Sequence, residues 1–314
     1  MTGVQTCALP IFDQTATVSF WDGPDRGKEL RPALVVQEGL AGQGSKADPY
    51  LLDSGDDLDM VDQAPTAHFR LAGDLDVSGR QVSPIGRENP FAGELDGAGH
   101  AIVGLKTTRG GLFGVNEGEV HDLAIVDADV DTTAGVGGIL ADTNEGIIER
   151  VYTTGLITAQ ARAGGIVGDQ AGVLRDSYST ARVHSAATEA GGTVGVALAG
   201  STTERVYATG AVSAATRNTG GIAGYGYTGT VLRDSIALNP TVRAPSFAHR
   251  VLGRVLAGDT ATSSNNWARE DVEAEVQSVL DPPAADNLMG ATATVARTRD
   301  PAFFRDTLGW DLES

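Results

Sequence analysis

Cysteine, lysine and large aromatic side chains are all scarce in this chain of 314 residues. The single cysteine, Cys7, has no partner for an internal disulfide, so covalent cross-links do not hold the fold. Cys7 falls within residues 1–11, whose text Thr-Gly-Val-Gln-Thr-Cys-Ala-Leu-Pro-Ile resembles a translated sequencing adapter. Residues 1–11 are therefore set apart from fold reasoning. The expectation that follows is a fragment whose natural N-terminus, with any signal peptide, lies outside the sequence. No apolar run approaches the roughly 18 residues of a membrane span. Aromatic residues make up 5% of the chain, fewer than a globular α/β enzyme of this length usually carries. Lysine occurs only as Lys28, Lys46 and Lys106, and arginine supplies the other cations. With a net charge of −18 the surface repels nucleic acid and anionic membranes, both of which require a basic footprint. Such a surface favours solubility, including in saline surroundings.

What the chain has instead is glycine, 41 residues of it, in a repeating pattern. Gly110-Gly-Leu-Phe-Gly114 recurs as Gly137-Gly-Ile-Leu-Ala141, Gly164-Gly-Ile-Val-Gly168, Gly191-Gly-Thr-Val-Gly195 and Gly220-Gly-Ile-Ala-Gly224. The period is 27 residues and lengthens once to 29, and Arg250-Val-Leu-Gly253 reads as a degenerate sixth copy. A second motif runs in phase: His121-Asp-Leu-Ala, Glu149-Arg-Val-Tyr152, Arg175-Asp-Ser-Tyr178, Glu204-Arg-Val-Tyr207 and Arg233-Asp-Ser-Ile236. A third element is a short β-rich run at 125–130, 155–158, 181–184, 210–213 and 240–242. Helical periodicity is absent, and small polar and β-branched residues dominate. The pattern predicts an all-β fold, a right-handed parallel β-helix of about 27-residue coils. One coil cannot bury its own apolar face, but stacked coils form inward ladders. Leu112, Ile139, Ile166, Val194 and Ile222 are expected to share the inward face. The paired glycines supply either positive φ or room for close backbone approach.

Around the repeat, residues 12–46 are an irregular N-terminal segment, with Thr17–Phe20 reading as a strand and 39–46 as a loop. Residues 47–109 read as first coils and a cap. They contain a strand at 48–53, a short helix at 55–63 carrying Leu58 and Met60, and an alternating strand at 68–77. Further β segments at 84–103 are arranged around Asp-Gly turns. Residues 110–255 hold the repeats. Residues 256–314 form a C-terminal cap that we expect to be truncated, with a helix-compatible stretch at 270–280 ended by Pro282 and Pro283. A second helix, 300–308, has Asp300 as N-cap and Pro301 at N1. Phe303, Phe304 and Trp310 are placed to cover the C-terminal edge.

The Gly-Gly-Leu-Phe-Gly copy and its in-phase successors resemble the GLUG motif of bacterial and archaeal surface proteins, among them adhesin-like proteins and some immunoglobulin A peptidases. The lead-in resembles theirs as well: Pro49-Tyr-Leu-Leu52, Leu71-Ala-Gly-Asp-Leu-Asp76, Pro84-Ile-Gly86 and Phe91-Ala-Gly-Glu-Leu-Asp-Gly97. So does the exit, with Asn265-Asn-Trp267 and Leu308-Gly-Trp-Asp-Leu312. The resemblance covers residues 47–312, and Ala141 and Thr193 depart from the motif. It implies an extracellular or cell-surface β-helical segment, not a reaction.

Parallel β-helices also carry polysaccharide lyases and glycoside hydrolases, which need acids, with or without calcium and a basic residue, gathered on one face. Alternation puts Asp127, Asp129 and Asp131 on one face, where they read as a solvated acidic face with a weak calcium site as the lesser alternative. Asp74 and Asp76 read as polar-out strand residues with a turn role. His68, His100, His121, His184 and His249 lack metal spacing. Ser177 and Ser179 lie near Asp176 without a phased histidine, so no triad is indicated. Tyr152, Tyr178 and Tyr207 recur in phase, as a stacked ladder in preference to a glycan platform. Gly220–Gly229 lacks a phosphate loop's lysine. No catalytic residue, metal ligand or cofactor is assigned. The expectation is a monomeric, non-catalytic adhesin or scaffold segment with an unidentified glycan or protein partner, no nucleic acid and no membrane span. A carbohydrate-active β-helix enzyme is the alternative, and the non-catalytic part of a large surface peptidase is a third.

Overall fold

Side chains alternate between the two faces of a strand, so each β run of a repeat offers one apolar face that only a neighbouring coil can complete. In the computed structural model that completion runs from coil to coil along the chain. It describes residues 39–133, 135–255, 260–275 and 282–312. Every pairing between its named strands is parallel, and the chain winds through about eight turns as a right-handed β-helix. The segment 1–11 and the strand expected at 17–20 lie outside the described residues.

Each repeat contributes to three sheets. One coil runs through Arg162–Gly164, turns at the glycine pair into Val167–Gln170, and turns again at Ala171-Gly172. It continues through Val173–Ser179 and Arg182–Ser185, then starts the next coil at Glu189–Gly191. The paired glycines answer the question of their role. Gly137, Gly138, Gly164, Gly165, Gly191 and Gly192 do not have positive φ; among these motif openings only Gly110 does, at 141°. Close approach excludes a side chain instead. A Cβ on Gly164 or Gly191 would lie 1.8 Å from the carbonyl oxygen of Val167 or Val194.

The core is a file of aliphatic rungs. Leu112, Ile139, Ile166, Val194 and Ile222 are all fully buried, as expected. Their register is less simple. The strand pairs run Phe113, Ala141, Val167, Val194, Ala223, Leu252, so successive coils span 28, 26, 27, 29 and 29 residues. The adjacent inward rungs are then Leu112, Leu140, Ile166, Thr193, Ile222 and Val251. Ile139 sits one residue early and Val194 one residue late. Thr193 tolerates the apolar position because its hydroxyl donates to the Ile222 carbonyl oxygen at 3.1 Å. Val251 and Leu252 bear out the degenerate sixth copy. Where two sheets meet, an amide file crosses the coils: Asn116 Nδ2 donates to Asn144 Oδ1 at 2.7 Å, and Asn144 Nδ2 to Gln170 Oε1 at 3.0 Å.

The flanks differ from the sequence reading in four places. The run 68–77 is two strands, His68–Leu71 and Leu75–Asp76, because the chain turns a coil corner at Ala72–Asp74. The Asp96-Gly97 turn joins no hairpin: Glu94–Asp96 and Ala101–Val103 each pair in parallel with Glu119–Thr132 of the following coil. The stretch 270–280 is not helical where it is described, since Glu273–Glu275 pairs with Thr241–Arg243 and extends the stack. A stack offering unpaired strand groups outweighs the weak helix preference of an acidic run. The expected helix at 300–308 is one short, wide turn in which Asp300 Oδ1 accepts the Ala302 N–H at 2.9 Å. Its Phe303 and Leu308 pack with Ile236 against Trp267 and Tyr207, covering that edge.

Candidate functional site

The second sequence motif folds into one corner of every coil. Its second residue takes left-handed backbone conformation each time: Asp122, Arg150, Asp176, Arg205, Asp234 and, one coil on, Asn265 have φ between 49° and 54°. Aspartate and asparagine tolerate this region; arginine does so at a cost. Neighbouring coils compensate. Arg150 Nε donates to Asp122 Oδ1 at 2.7 Å, Arg205 Nε to Asp176 Oδ1 at 2.6 Å, and Asn265 Nδ2 to Asp234 Oδ1 at 2.8 Å.

The residue before it forms a second column: Arg70, Asp96, His121, Glu149, Arg175, Glu204 and Arg233 stand in register. Sign alternates along each column and between them, giving a checkerboard of charge. Arg175 Nε reaches Glu149 Oε2 at 2.6 Å, and Glu204 is held between Arg205, at 2.9 Å, and Arg233. Burial raises the Glu149 carboxyl, but the hydrogen bonds from Arg175 and Arg150 hold it below its ordinary value. The Arg150 hydrogen bond does the same for Asp122. One exposed pair contributes less than about 1 kcal/mol, so the column acts by fixing register more than by adding stability.

Beside the columns, Tyr152, Tyr178 and Tyr207 stack as expected. Their ring centroids are 5.0 and 4.5 Å apart with the planes within 6°, and Trp310 of the cap follows at 5.8 Å. The facing sides of the tyrosines are thus spent on one another, while the outer side of Tyr152 stands over Ala124 of the preceding coil. These rings and the charged corner line a shallow cleft of about 270 Å³. Burial, aided by the neighbouring tyrosine, raises the Tyr207 phenol above its ordinary value.

His121 occupies a place in its column where the alternation calls for a cation. Its Nδ1 lies 2.7 Å from Asp122 Oδ2 and its Nε2 3.1 Å from Glu94 Oε1, while His68 Nδ1 is 2.8 Å from Glu94 Oε2. The histidines looked scattered in sequence because Glu94 gathers His68 and His121 from different coils. Burial lowers the His121 pKa, but the hydrogen bonds to Asp122 and Glu94 outweigh it and the net shift is upward. A raised folded-state pKa stabilises the fold below the ordinary histidine value of 6.5, and that contribution is lost as pH climbs through the folded value. His121→Gln should therefore lower the melting temperature at about pH 6 by an amount worth up to about 1 kcal/mol, and change it little at about pH 9. Equal losses at both pH values, in thermal melts, would show that His121 is neutral in the fold.

The other sequence candidates separate. Asp127, Asp129 and Asp131 are exposed, but Asp127 bulges out of the strand with φ 55° and Asp129 lies 3.3 Å from Lys106 Nζ. The trio whose ligand atoms come within 4.8 Å of one another, among the described residues, is Asp96, His121 and Asp122. Asp74 Oδ1 accepts the Ala101 N–H of the next coil, and Asp76 Oδ1 accepts the Ser78 N–H in a local turn. Ser177 and Ser179 are buried and bonded to neighbouring coils, with Ser177 Oγ accepting the Val151 N–H and Ser179 Oγ 3.0 Å from Thr153 Oγ1. His184 bonds Ser213 Oγ, His249 Nδ1 lies 2.6 Å from the Gly253 carbonyl oxygen, and His100 lies 3.4 Å from Asp74.

Sequence reasoning missed two buried acids. Asp142 stands one residue beyond Ala141, in register with the last glycine of the next copy, and its Oδ1 accepts the Gly111 N–H at 2.9 Å. Burial pushes its pKa up to about 7. Asp169 is also buried and raised, with Arg162 Nη1 at 2.6 Å from Oδ2. The signal was available, since Asp142 is an acid where other copies have Gly168, Gly195, Gly224 and Gly253.

A β-solenoid with ladder-built faces is thus the class the geometry defines. No family model matches the chain. It is 31% identical over 176 residues to halomucin of Haloquadratum walsbyi, a match covering 49% of this chain and 2% of halomucin. It is 34% identical over 129 residues to a "Putative Gly-rich membrane protein" of Evansella cellulosilytica, covering 35% of this chain and 15% of that one. The chain therefore matches a small part of either curated relative. Its fold is similar to the crystal structure of a "putative immunoglobulin A1 protease" from Bacteroides ovatus, with a TM-score of 0.72 at 23% identity, covering 84% of this chain and 88% of that one. At that identity the likeness concerns the fold alone. Among the described residues no helix is long and apolar enough to cross a membrane.

Proposed function

We propose that this chain is a non-catalytic, extracellular β-helical segment of a surface adhesin or scaffold protein. The observation that carries the reading is the corner checkerboard with its tyrosine stack. Its charged groups neutralise one another from coil to coil, and its rings stack on one another from Tyr152 to Trp310. Such a face holds register along a stiff rod and leaves no acid poised for chemistry. The GLUG-like repeats and the likeness to halomucin support a surface setting.

The enzyme alternative has one observation in its favour: Asp142, Asp169 and Arg162 lie on adjacent rungs. Asp142, however, is engaged with the Gly111 backbone, and both carboxylates are enclosed, which suits packing better than substrate access. The likeness to the Bacteroides ovatus structure is compatible with the non-catalytic part of a surface peptidase. The purified protein should release no reducing ends and no unsaturated uronate product from polyuronates or neutral glucans over a day. Depolymerisation that disappears in Asp169→Asn would overturn the non-catalytic reading.

A further inference from the structure

A second groove lies away from the tyrosine stack, where the sheets flanking the glycine pairs meet. Its walls are two columns on consecutive coils. One carries Arg162, Glu189 and Asn218, and the other Val196, Tyr225 and Arg254. Glycines pack the sheets close at its base: a Cβ on Gly224 would lie 2.8 Å from the backbone of Ala190. The enclosed space is about 360 Å³, within the range of small-ligand sites.

Its chemistry departs from the rest of the molecule. In a chain of net charge −18, three guanidiniums, Arg162, Arg217 and Arg254, line this one cleft. Arg162 is matched by Asp169. Arg217 is exposed, and among the described residues neither it nor Arg254 has a carboxylate partner; Arg254 lies over the Phe247 ring at 4.1 Å. Asn218 is 2% exposed, and its Nδ2 donates to Glu189 Oε1 at 3.0 Å. Its Oδ1 is buried without a hydrogen-bond partner among the described residues. Tyr227 is 40% exposed and meets Tyr225 edge-on at 4.9 Å. It is the large exposed ring on the rim of this groove.

We infer that this groove binds a saccharide carrying an anionic group, a carboxylate or a sulfate ester. Arg217 and Arg254, on adjacent coils and on the two sheets that flank the groove, take the anion, where planar guanidinium donors match both oxyanions. The vacant acceptor of Asn218 suits a sugar hydroxyl, which a simple anion lacks. Tyr227 offers its face to the C–H side of a pyranose. The inference rests on the reading of the chain as a non-catalytic surface segment and names its ligand class.

The test is calorimetric titration of the whole chain with four probes: a galacturonate hexamer, a heparin-derived hexasaccharide, a neutral cello-hexaose and a glutamate-rich peptide. Binding of one or both acidic saccharides, and neither control, is expected. The two saccharide arms distinguish carboxylate from sulfate. Arg217→Ala and Arg254→Gln should each weaken binding roughly tenfold or more, and Tyr227→Ala severalfold. Arg182→Ala, exposed on another sheet, should leave affinity unchanged, and circular dichroism melts confirm that each variant folds. Loss of neither acidic-saccharide affinity in the Arg217 and Arg254 variants overturns the inference, as does equal binding of the peptide or no binding of any probe at millimolar concentration. Those failures leave the non-catalytic reading standing. Cleavage of a bound probe would overturn that reading while leaving the site.

Discussion

Ile166→Asp is expected to destabilise the central coils by at least about 4 kcal/mol, lowering the melting temperature on the order of 10 °C. Ile166 is fully buried, with Leu140 and Thr193 as the rungs on either side. The substitution removes the apolar contact and encloses a carboxylate with no cation at its rung. Thr193 shows what the file accepts: a small polar group whose hydrogen can reach the next carbonyl. Aspartate has no hydrogen to give at neutral pH. Ile166→Val, which keeps the shape, should cost only about 1 kcal/mol. Because each coil contacts mainly its neighbours, the damage should spread outward, and hydrogen exchange should quicken first at 140–195. If Ile166→Asp melted like the parent, the inward assignment of this rung would be wrong.

Asp142→Asn should stabilise the protein at alkaline pH by up to about 4 kcal/mol and leave it nearly unchanged at about pH 4. Burial raises the Asp142 pKa from 3.8 to about 7, against the Gly111 N–H and Arg87, which favour the anion. A raised carboxyl pKa means that the folded state holds its proton longer than the unfolded chain. The favourable contribution is complete below 3.8 and is lost as pH rises through about 7. Asparagine keeps an oxygen for the Gly111 N–H and carries no charge to bury. The stability difference between variant and parent, measured by chemical denaturation from about pH 4 to 9, should open through neutrality. A difference that stays flat across that range would show that Asp142 is ionised and compensated in the fold. His121 acts in the same sense, so the parent is expected to be more stable in mild acid than in mild base.

Much of this architecture is legible in the residues, and the places where it is not are instructive. The glycine pairs and aliphatic positions announce a solenoid because every coil must solve the same packing problem. Register is another matter. Equal motif spacings of 27 residues across the first three copies conceal strand pairings 28 and 26 apart, because the Gly137-Gly138 copy stacks through its second glycine. A sequence motif records which residues make the turn, whereas the hydrogen bonds decide where the turn falls. The tyrosine stack was legible because one residue recurs at one phase. The gathering of His68 and His121 on Glu94 was not, since single residues on coils of irregular length carry no period. The Arg217–Arg254 groove escaped for the same reason: its members come from different positions of different coils. Their only common signal is positive charge in an acidic chain.

The corner columns carry a further consequence for the length of the rod. Glu149-Arg150 and Glu204-Arg205 bear one polarity, and Arg175-Asp176 and Arg233-Asp234 the other. Loss or gain of one coil would bring like charges face to face along two columns at once, whereas loss or gain of two keeps the alternation of sign. On charge alone, then, the corner favours adding or removing coils in pairs, a parity constraint that no single repeat displays.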